Sequence, residues 1–413
     1  MQATAGHAGP PAAMVVEDSD LQRAQLVQML GERRPGPVLQ ARDGLEALRL
    51  LQRPDTPRVS LLLTDIDMPG MDGIELVQHL VQSGQVEQLI VTSGRDPRLL
   101  ETIESMFQGQ RRLRLLGTLP KPVRADALER LLEKSGPGQS QLLPDEEVDT
   151  SEAALRLALE RGEFLAYFQP KLGMARGILH GFEALARWQH PTHGLLGPQN
   201  FLRQIEGTPL RGAFTLAIVE QGLRWLSQWH RSMPQLGLSF NLCADDLADI
   251  GFVNQLIQRV AAHKLPAQRI TWEVTETTML GGRAMAHLAR LSLKGFGLSM
   301  DDFGIGYSSM HTLSRSPFTE LKIDRIFVHG AAERANRRAI LCASLDMGRN
   351  LGLRVVAEGV ETQADWQLLR ELGCHQAQGF LVGRPVPGAE VLDWVRGNRT
   401  RLSALVEAHA VAA

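Results

Sequence analysis

The chain has 413 residues and an almost balanced charge, with 44 lysines and arginines against 46 aspartates and glutamates. This length exceeds what one hydrophobic core usually supports, so we expect two domains. The near-neutral balance leaves no electrostatic footprint for a nucleic acid and argues against a DNA-binding protein. No stretch approaches the roughly 18 apolar residues of a membrane span, and the start lacks a charged leader with an apolar core. Three well-separated cysteines predict reduced thiols, and we expect a cytoplasmic protein without a membrane segment.

The first part of the chain has the pattern of a small α/β domain with a mostly parallel sheet. Residues 1–12 are predicted to be a flexible lead-in, and strand-like apolar runs alternate with amphipathic stretches over residues 13–134. The strand candidates are Met14–Val16, Leu61–Leu63, Leu89–Val91 and Leu115–Leu119. Residues 135–150 lose this periodicity and collect Gly, Pro, Ser and acids, which predicts a linker.

Residues 151–413 alternate again between strand-like and helical segments. The eight strand candidates are Phe164–Gln169, Gly181–Arg187, Leu236–Leu242, Arg269–Thr275, Phe296–Asp302, Glu320–Asp324, Arg354–Glu358 and Gln376–Leu381. Eight strands with intervening helices in a segment of this size predict a (β/α)₈ barrel, whose active sites lie at the C-terminal strand ends. An open doubly wound sheet is the alternative.

Polar residues follow the strand candidates of the first domain. Glu17 and Asp18 follow the first candidate, and Asp65 follows the second. Thr92 ends the next candidate, and Lys121 ends the last. Acids at one sheet edge can hold Mg²⁺, a hydroxyl and an ammonium can contact a phosphoryl group, and an aspartate can attack phosphate. Taken singly, each residue has a structural explanation, such as Asp18 serving as a helix cap.

This ordered series resembles the receiver domain of two-component response regulators, which is a doubly wound parallel sheet. The resemblance implies that Asp65 is the phosphoacceptor and that a histidine kinase or a phosphotransfer protein is the donor. The implied Mg²⁺ ligands and phosphoryl contacts are Glu17, Asp18, Thr92 and Lys121. One position departs from the family, because Thr118 stands where an aromatic switch residue is often found.

Six apolar segments of the second domain each deliver an oxygen-bearing side chain near their C-terminal ends. These residues are Glu183, Asn241, Glu273, the pair Asp301 and Asp302, Asp324, and Glu358. Because such ends meet in a barrel, the pattern predicts one site for polyvalent cations rather than scattered surface charge. Carboxylates and an amide suit hard cations, and no set of cysteines and histidines indicates zinc.

The tripeptide Glu183-Ala-Leu185 carries little information alone, because the same letters occur at Glu46-Ala-Leu48 in an ordinary amphipathic helix pattern. The second copy differs in being accompanied by an ordered series of motifs. These are Gln169-Pro-Lys171, Glu273-Val-Thr-Glu276, Asp301-Asp302-Phe-Gly-Ile-Gly306, Lys322-Ile-Asp324, Ala357-Glu-Gly-Val-Glu361 and Gln378-Gly379. The series resembles the EAL family of cyclic-di-GMP phosphodiesterases.

That resemblance implies a TIM-like barrel that binds two Mg²⁺ or Mn²⁺ ions. The implied ligands of one ion are Glu183, Asn241, Glu273 and Asp301, and those of the other are Asp301 and Asp302. Two divalent ions about 4 Å apart can clamp the attacking and leaving oxygens of an in-line displacement and lower the pKa of bound water.

The resemblance also implies two catalytic side chains. Lys322 would orient or deprotonate the attacking water, and the alternative is a surface lysine beside a strand. Glu358 would support the metal–water cluster, and the alternative is a satisfied buried acid. The implied substrate-binding residues are Gln169, Leu185, Arg187, Asp324 and Gln378. Arg187 either offers a planar fork to a phosphate or pairs with an acid, and the two glutamines either read guanine edges or satisfy backbone groups.

The segment from Asp302 to Ser309 resembles the family's mobile loop, which couples dimerisation to metal binding, with Glu276 as its anchor. Gly304 and Gly306 permit the backbone excursions that such a loop needs. Ile305 occupies a position that often holds a smaller or polar residue.

The two constellations together predict a response regulator that hydrolyses cyclic-di-GMP to linear pGpG under the control of Asp65 phosphorylation. The family analogy favours a homo-oligomer, either a dimer or a higher assembly. The alternative function is a catalytically silent cyclic-di-GMP receptor or protein-interaction module, in which a metal ligand or the lysine would be missing. A DNA-binding output fits poorly because the second domain is large and not basic, and no Gly-Gly-Asp-Glu-Phe-like stretch indicates a cyclase.

Overall fold

A computed structural model of the chain describes residues 11–53, 55–94, 113–133, 148–275, 282–304 and 310–407. The chain divides into two compact units, residues 1–145 and residues 146–413. The predicted lead-in and linker fall almost entirely outside the described residues, so their bounds stay predictions. None of the helices in the described ranges is both long enough and apolar enough to cross a membrane.

The first unit contains a five-stranded parallel sheet in the order β2-β1-β3-β4-β5. Its strands are β1 (Ala12–Val16), β2 (Val38–Ala41), β3 (Val59–Asp65), β4 (Gln88–Ser93) and β5 (Arg114–Pro120). The described helices are α1 (Asp20–Gly31), α2 (Gly44–Leu51), α3 (Gly73–Ser83) and α4 (Ala125–Glu133). Hydrophobic clusters cover both faces of the sheet, which explains why its inner strands are continuous apolar runs. The predicted doubly wound sheet is confirmed.

Three helices of this unit begin where a side chain satisfies a free backbone N–H group. Ser19, Asp43 and Asp72 precede α1, α2 and α3, and each accepts a hydrogen bond from the amide three residues later. These caps set where the chain turns from strand to helix at the C-terminal edge of the sheet. The polar residues that follow the strands are thereby held at that edge.

The second unit is a closed barrel of eight strands, with the ring order β6-β14-β13-β12-β11-β10-β9-β7 and back to β6. The ring strands are β6 (Phe164–Gly173), β7 (Leu179–His190), β9 (Gly237–Leu242), β10 (Ile270–Thr275), β11 (Gly297–Phe303), β12 (Glu320–Ile323), β13 (Arg354–Ala357) and β14 (Gln376–Ala377). Strand β8 (Gly194–Leu196) extends β7, and β15 (Val386–Pro387) pairs with β6. The predicted barrel is confirmed, and the open sheet is excluded because the ring closes.

Helices follow the parallel strands and cover the outside of the barrel. They are α5 (Glu152–Glu160), α6 (Leu202–Glu206), α7 (Arg211–Trp229), α8 (Ala244–Ala248), α9 (Ile250–Ala262), α10 (Gly282–Leu293), α11 (Met310–Arg315), α12 (Arg325–Val328), α13 (Ala335–Asn350), α14 (Gln363–Glu371) and α15 (Val391–Glu407). Short 3₁₀ turns lie at Pro198–Asn200, Ala267–Arg269 and Gly388–Glu390.

The first strand of the barrel departs from the predicted pattern. Strand β6 runs antiparallel to both of its ring neighbours, β7 and β14. A short hairpin joins β6 to β7 without a helix, and Gly177 adopts a left-handed conformation there (φ 62°). The expectation of a helix after every strand is therefore wrong at this one connection.

Candidate active site

The sheet edge of the first unit gathers two buried carboxylates around one lysine. Lys121 Nζ lies 2.6 Å from Asp65 Oδ2 and 2.8 Å from Glu17 Oε2. Burial alone would lower the pKa of Lys121, but its hydrogen bonds to Asp65 and Glu17 raise that pKa above its usual value. Burial raises the pKa of Glu17. The ammonium therefore neutralises a site whose net charge would otherwise be strongly negative.

The other predicted residues of this edge lie beside the same group. Carboxylate oxygens of Glu17, Asp18 and Asp65 approach one another closely enough to share one cation. Asp18 is exposed, whereas Thr92 is fully buried and donates a hydrogen bond to the carbonyl of Thr64 at 3.3 Å. The five predicted side chains come from the ends of β1, β3, β4 and β5. Oxygen donors of this kind suit Mg²⁺, so the residues fit the implied cation.

Lys322 is the centre of the site in the barrel. Its side chain, 1% exposed, extends from β12 among carboxylates of four other segments. The distances from Lys322 Nζ are 2.6 Å to Glu273 Oε2, 2.6 Å to Glu358 Oε1, 3.1 Å to Asp301 Oδ1 and 3.4 Å to Glu183 Oε2. Burial opposes the charge on Lys322, but the four acids raise its pKa well above the usual value. The alternative interpretation of Lys322 as a surface lysine beside a strand is excluded, because its side chain is buried.

A second buried lysine, Lys171, contacts Glu273 on the carboxylate oxygen that Lys322 does not contact. Lys171 Nζ binds the other carboxylate oxygen of Glu273, and it also lies 2.8 Å from Ser239 Oγ and 3.4 Å from Glu320 Oε1. Burial would raise the pKa of Glu273, but Lys171 and Lys322 together lower it to about 2. Glu273 is therefore ionised and held by both oxygens.

Glu183 is held by amide donors as well as by Lys322. Asn241 Nδ2 donates to Glu183 Oε1 at 2.7 Å, and Gln378 Nε2 donates to Glu183 Oε2 at 2.6 Å. Gln378 also donates to Gln169 Oε1 at 3.0 Å. Burial is the main cause that raises the pKa of Glu183, with nearby Glu273 adding to it. Gln378 therefore bridges Glu183 and Gln169, while Gln169 donates to the carbonyl of Gly383 at 3.3 Å.

The pair Asp301 and Asp302 presents two consecutive carboxylates to the same cavity. Side chains of a regular strand alternate between faces, but the register of β11 against β12 shifts between Met300 and Phe303. Asp302 is in the left-handed region (φ 54°), which completes this local bulge. Burial and the neighbouring Asp301 raise the pKa of Asp302 to about 6. Carboxylate oxygens of Asp301, Asp302 and Glu358 form one possible cation cluster, and those of Glu183, Glu273 and Asp301 form another.

These side chains line a cavity of about 970 Å³ at the C-terminal strand ends. Leu185, Gln169 and Gln378 also line it, as predicted for substrate contacts. Arg187 and Asp324, which were also predicted as substrate contacts, are not among the described residues that line this cavity. Arg187 donates to the carbonyl of Ala186 at 2.8 Å, and Asp324 caps α12 by accepting from the amide of Ile326 at 2.7 Å. Glu276 and Ile305 lie outside the described residues, so their roles stay predictions.

Two residues were missed as functional candidates, Lys171, which contacts the cavity-lining Glu273, and Phe380, which lines the cavity itself. Lys171 stood in the motif with Gln169 without receiving a role, although a spacing of two residues puts both on one strand face. Phe380 lines the cavity, is 47% exposed and carries the guanidinium of Arg384 4.1 Å from its ring centroid. Phe380 directly follows the Gln378-Gly379 motif, and this position was the sequence feature that could have predicted its place in the cavity.

The donor set fits hard divalent cations. The cavity is lined by eight carboxylates, against the ammonium of Lys322 and the guanidinium groups of Arg211 and Arg325. Five of these carboxylates and one amide come from the barrel strands or directly follow them. These residues are Glu183, Glu273, Asp301, Asp302, Glu358 and Asn241. Oxygen ligands of this type are those that Mg²⁺ and Mn²⁺ prefer.

Residues 152–385 match the family model of the EAL domain. The chain belongs to the EAL family. Residues 13–133 match the model of the response regulator receiver domain, so this EAL protein also carries a receiver domain. The same pairing is predicted from the motifs and is confirmed.

Individual relatives cover either nearly the whole chain or somewhat more than half of it. The cyclic di-GMP phosphodiesterase RocR of Pseudomonas aeruginosa is 35% identical over 93% of this chain and 98% of its own length. The bifunctional diguanylate cyclase/cyclic di-GMP phosphodiesterase MucR of the same species is 39% identical over 58% of this chain and 35% of its own length. A solved structure of the PaMucR phosphodiesterase in complex with c-di-GMP has a TM-score of 0.56, with 39% identity, and covers 58% of this chain and 98% of that one.

Proposed function

We propose that this EAL protein hydrolyses cyclic-di-GMP to linear pGpG with the help of two divalent cations, and that phosphorylation of Asp65 regulates the reaction. The observation that best supports this proposal is the position of Lys322, a buried ammonium among four carboxylates at the floor of a substrate-sized cavity. The relatives support the substrate, because RocR is named a cyclic di-GMP phosphodiesterase and is matched over almost its whole length.

Charge explains why the proposed reaction needs cations. Cyclic-di-GMP carries two phosphodiester charges, and a cavity lined by eight carboxylates against three cationic side chains repels it unless further cations intervene. Glu183, Asn241, Glu273 and Asp301 would hold one ion, and Asp301 with Asp302 would hold the other. Bound Mg²⁺ or Mn²⁺ supplies charge neutralisation and a water of lowered pKa.

The side chains of the chain then have separate tasks. Lys322 directs its N–H groups toward the carboxylate-lined floor and would orient the attacking water there. Glu358, which contacts Lys322 at 2.6 Å, would fix the position of that ammonium. Gln169 and Gln378 line the cavity beside Glu183 and would offer their amide groups to the substrate. Arg187 and Asp324 would contact the substrate by exchanging their local partners, the carbonyl of Ala186 and the amide of Ile326.

The receiver site supports the regulatory half of the proposal. Asp65 is buried at the end of β3, and its Oδ2 is held by Lys121 while its Oδ1 accepts from the amide of Ile66 at 2.7 Å. Glu17 and Asp18 would hold Mg²⁺, and Thr92 would contact the phosphoryl group. The proposed donor is a histidine kinase or a phosphotransfer protein, and the proposed assembly is a homo-oligomer.

The enzymatic half is tested by chromatography of the reaction products. The full chain is incubated with cyclic-di-GMP and Mg²⁺ or Mn²⁺, alongside EDTA and the Glu183→Ala variant. We expect linear pGpG that depends on the metal and is lost in the variant, because Glu183 organises the amide and ammonium donors around it. Glu160→Ala, at an exposed glutamate of α5, is the matched control and should keep full activity. Tight binding without product would instead indicate the silent receptor.

A further inference from the structure

The end of the barrel opposite the candidate active site contains a second cavity of about 970 Å³. Its walls are the starts of β7, β12, β13 and β14, the loops that lead into them, and the C-terminal ends of α13 and α14. The polar part of the lining consists largely of Arg349, Arg354, Arg370, His180 and His375. No aspartate or glutamate is among the described residues that line this cavity. Its charge is thus the reverse of that in the active-site cavity.

The arginines are incompletely neutralised. Arg354 Nε lies 3.9 Å from Glu320 Oε2, but that carboxylate also serves the buried Lys171. Arg349 pairs at 2.6 Å with Asp346 of its own helix, where both side chains are exposed and such pairs are weak. Among the residues that the structure describes, neither a hydrogen-bond acceptor nor an acid contacts the Arg370 guanidinium. The cavity therefore retains positive charge.

The two histidines add hydrogen-bond donors, and their pKa values are lowered by burial and by the positive charge of the nearby arginines. His375 Nδ1 accepts a hydrogen bond from the amide of Val355 at 3.0 Å, so the neutral ring carries its proton on Nε2. Burial first, and then Arg349 and Arg354, lower the pKa of His375. Burial and Arg354 also lower the pKa of His180. Both imidazoles are neutral near pH 7 and the excess charge comes from guanidinium groups, which bind phosphate through paired N–H donors.

We propose that this arginine-lined cavity at the N-terminal end of the barrel is a binding site for a phosphorylated small molecule. Arg349, Arg354 and Arg370 bind the phosphate oxygens, and the His375 Nε2–H donates a further hydrogen bond. Phe318 and Leu353 give the cavity an apolar wall. The volume lies in the range of ordinary ligand pockets and accommodates a group attached to the phosphate. This site is separate from the proposed catalytic function and does not depend on it.

Calorimetric titration of the full chain with inorganic pyrophosphate, in EDTA to remove cations from both acidic sites, tests the proposal. We expect one binding event, weakened at least about tenfold in Arg349→Gln/Arg370→Gln, because two charge-assisted contacts are lost. Arg224→Gln, at an exposed arginine of α7, is the matched control and should bind like the unmodified chain.

The single variant Arg370→Gln separates loss of binding from loss of stability. Among the described residues, the Arg370 guanidinium has no partner whose loss would destabilise the fold. This variant should weaken pyrophosphate binding severalfold while leaving the melting temperature unchanged. Absence of binding heat, or equal affinity in the unmodified chain, the double variant and Arg224→Gln, would overturn the proposal.

Discussion

The receiver site and the barrel site place a lysine among carboxylates in two different ways. In the receiver, Lys121 contacts two acids and its side chain is 16% exposed at a sheet edge. In the barrel, Lys322 contacts four acids and is 1% exposed at the floor of a cavity. In the proposed function a protein donor would reach the receiver edge, whereas the barrel cavity would enclose a small molecule. The degree of enclosure, more than the residue types, distinguishes the two sites.

The nucleophile also differs between the two proposed reactions. In the receiver, a carboxylate of the protein would attack phosphorus, so Asp65 must keep an oxygen accessible to the donor. In the barrel, water would attack, so every carboxylate can be engaged by cations, lysines or amides. The number of partners does not separate the sites, because Asp65 contacts Lys121 and the amide of Ile66, just as Glu273 contacts Lys171 and Lys322.

The largest effect is expected from Asp65→Asn, which removes the proposed nucleophile of the receiver. Phosphoryl incorporation from radiolabelled acetyl phosphate should fall to background, and turnover should no longer respond to the donor. Asp72→Asn is the matched control, because asparagine caps α3 as well as aspartate does. If Asp65→Asn still incorporated label, another residue would be the acceptor and the contrast between the two nucleophiles would fail.

Lys322→Met should have the next largest effect. We expect the rate of pGpG formation to fall by a factor of about 10² to 10⁴, the usual contribution of a residue that handles the reacting proton. The variant should also melt at a lower temperature in EDTA, because four carboxylates lose their shared cation, and Mg²⁺ should recover part of that loss.

The control for Lys322→Met is Lys294→Met, at an exposed lysine, which should leave rate and melting temperature unchanged. A Lys322→Met protein that kept its rate within threefold would show that the central ammonium is structural only. The barrel lysine would then only balance charge, unlike Lys121, which the proposal places against the phosphoryl group.

Much of the fold follows from the sequence, because buried parallel strands are continuous apolar runs. Strand β2 was missed since Val38–Ala41 is a short, half-buried edge strand with a weak apolar signal. The direction of β6 was missed because periodicity does not encode direction. A signal was present, since the gap between the predicted strands ending at Gln169 and starting at Gly181 is too short for a helical crossover.

The candidate site was predictable to the extent that its acids follow strands. The bulge at Asp301 and Asp302 makes two adjacent residues face one cavity, and simple alternation does not predict that. Arg187 shows the opposite failure, because a position two residues from Leu185 does not line the described cavity. Lys171 was overlooked because its partners Glu273 and Glu320 are far apart in the sequence and come together only when the barrel closes.

Lys171→Met tests how far the enclosure of the barrel site depends on this second lysine, and a smaller effect is expected. Lys171 fixes one oxygen of Glu273, so its loss should weaken Mn²⁺ binding by about 10- to 100-fold, as for other residues that orient metal ligands. Calorimetric titration with Mn²⁺ measures this directly, and the melting temperature reports the buried charge of Glu320, which keeps only the more distant Arg354.

The double variant Lys171→Met/Glu320→Gln separates the two consequences. Removing both charges should restore the melting temperature toward that of the unmodified chain, because no buried carboxylate charge remains at Glu320. Mn²⁺ affinity should stay low, since Glu273 still lacks its support. Recovery of both quantities together would show that Lys171 serves only to neutralise Glu320, and Glu273 would then owe its position to Lys322 alone.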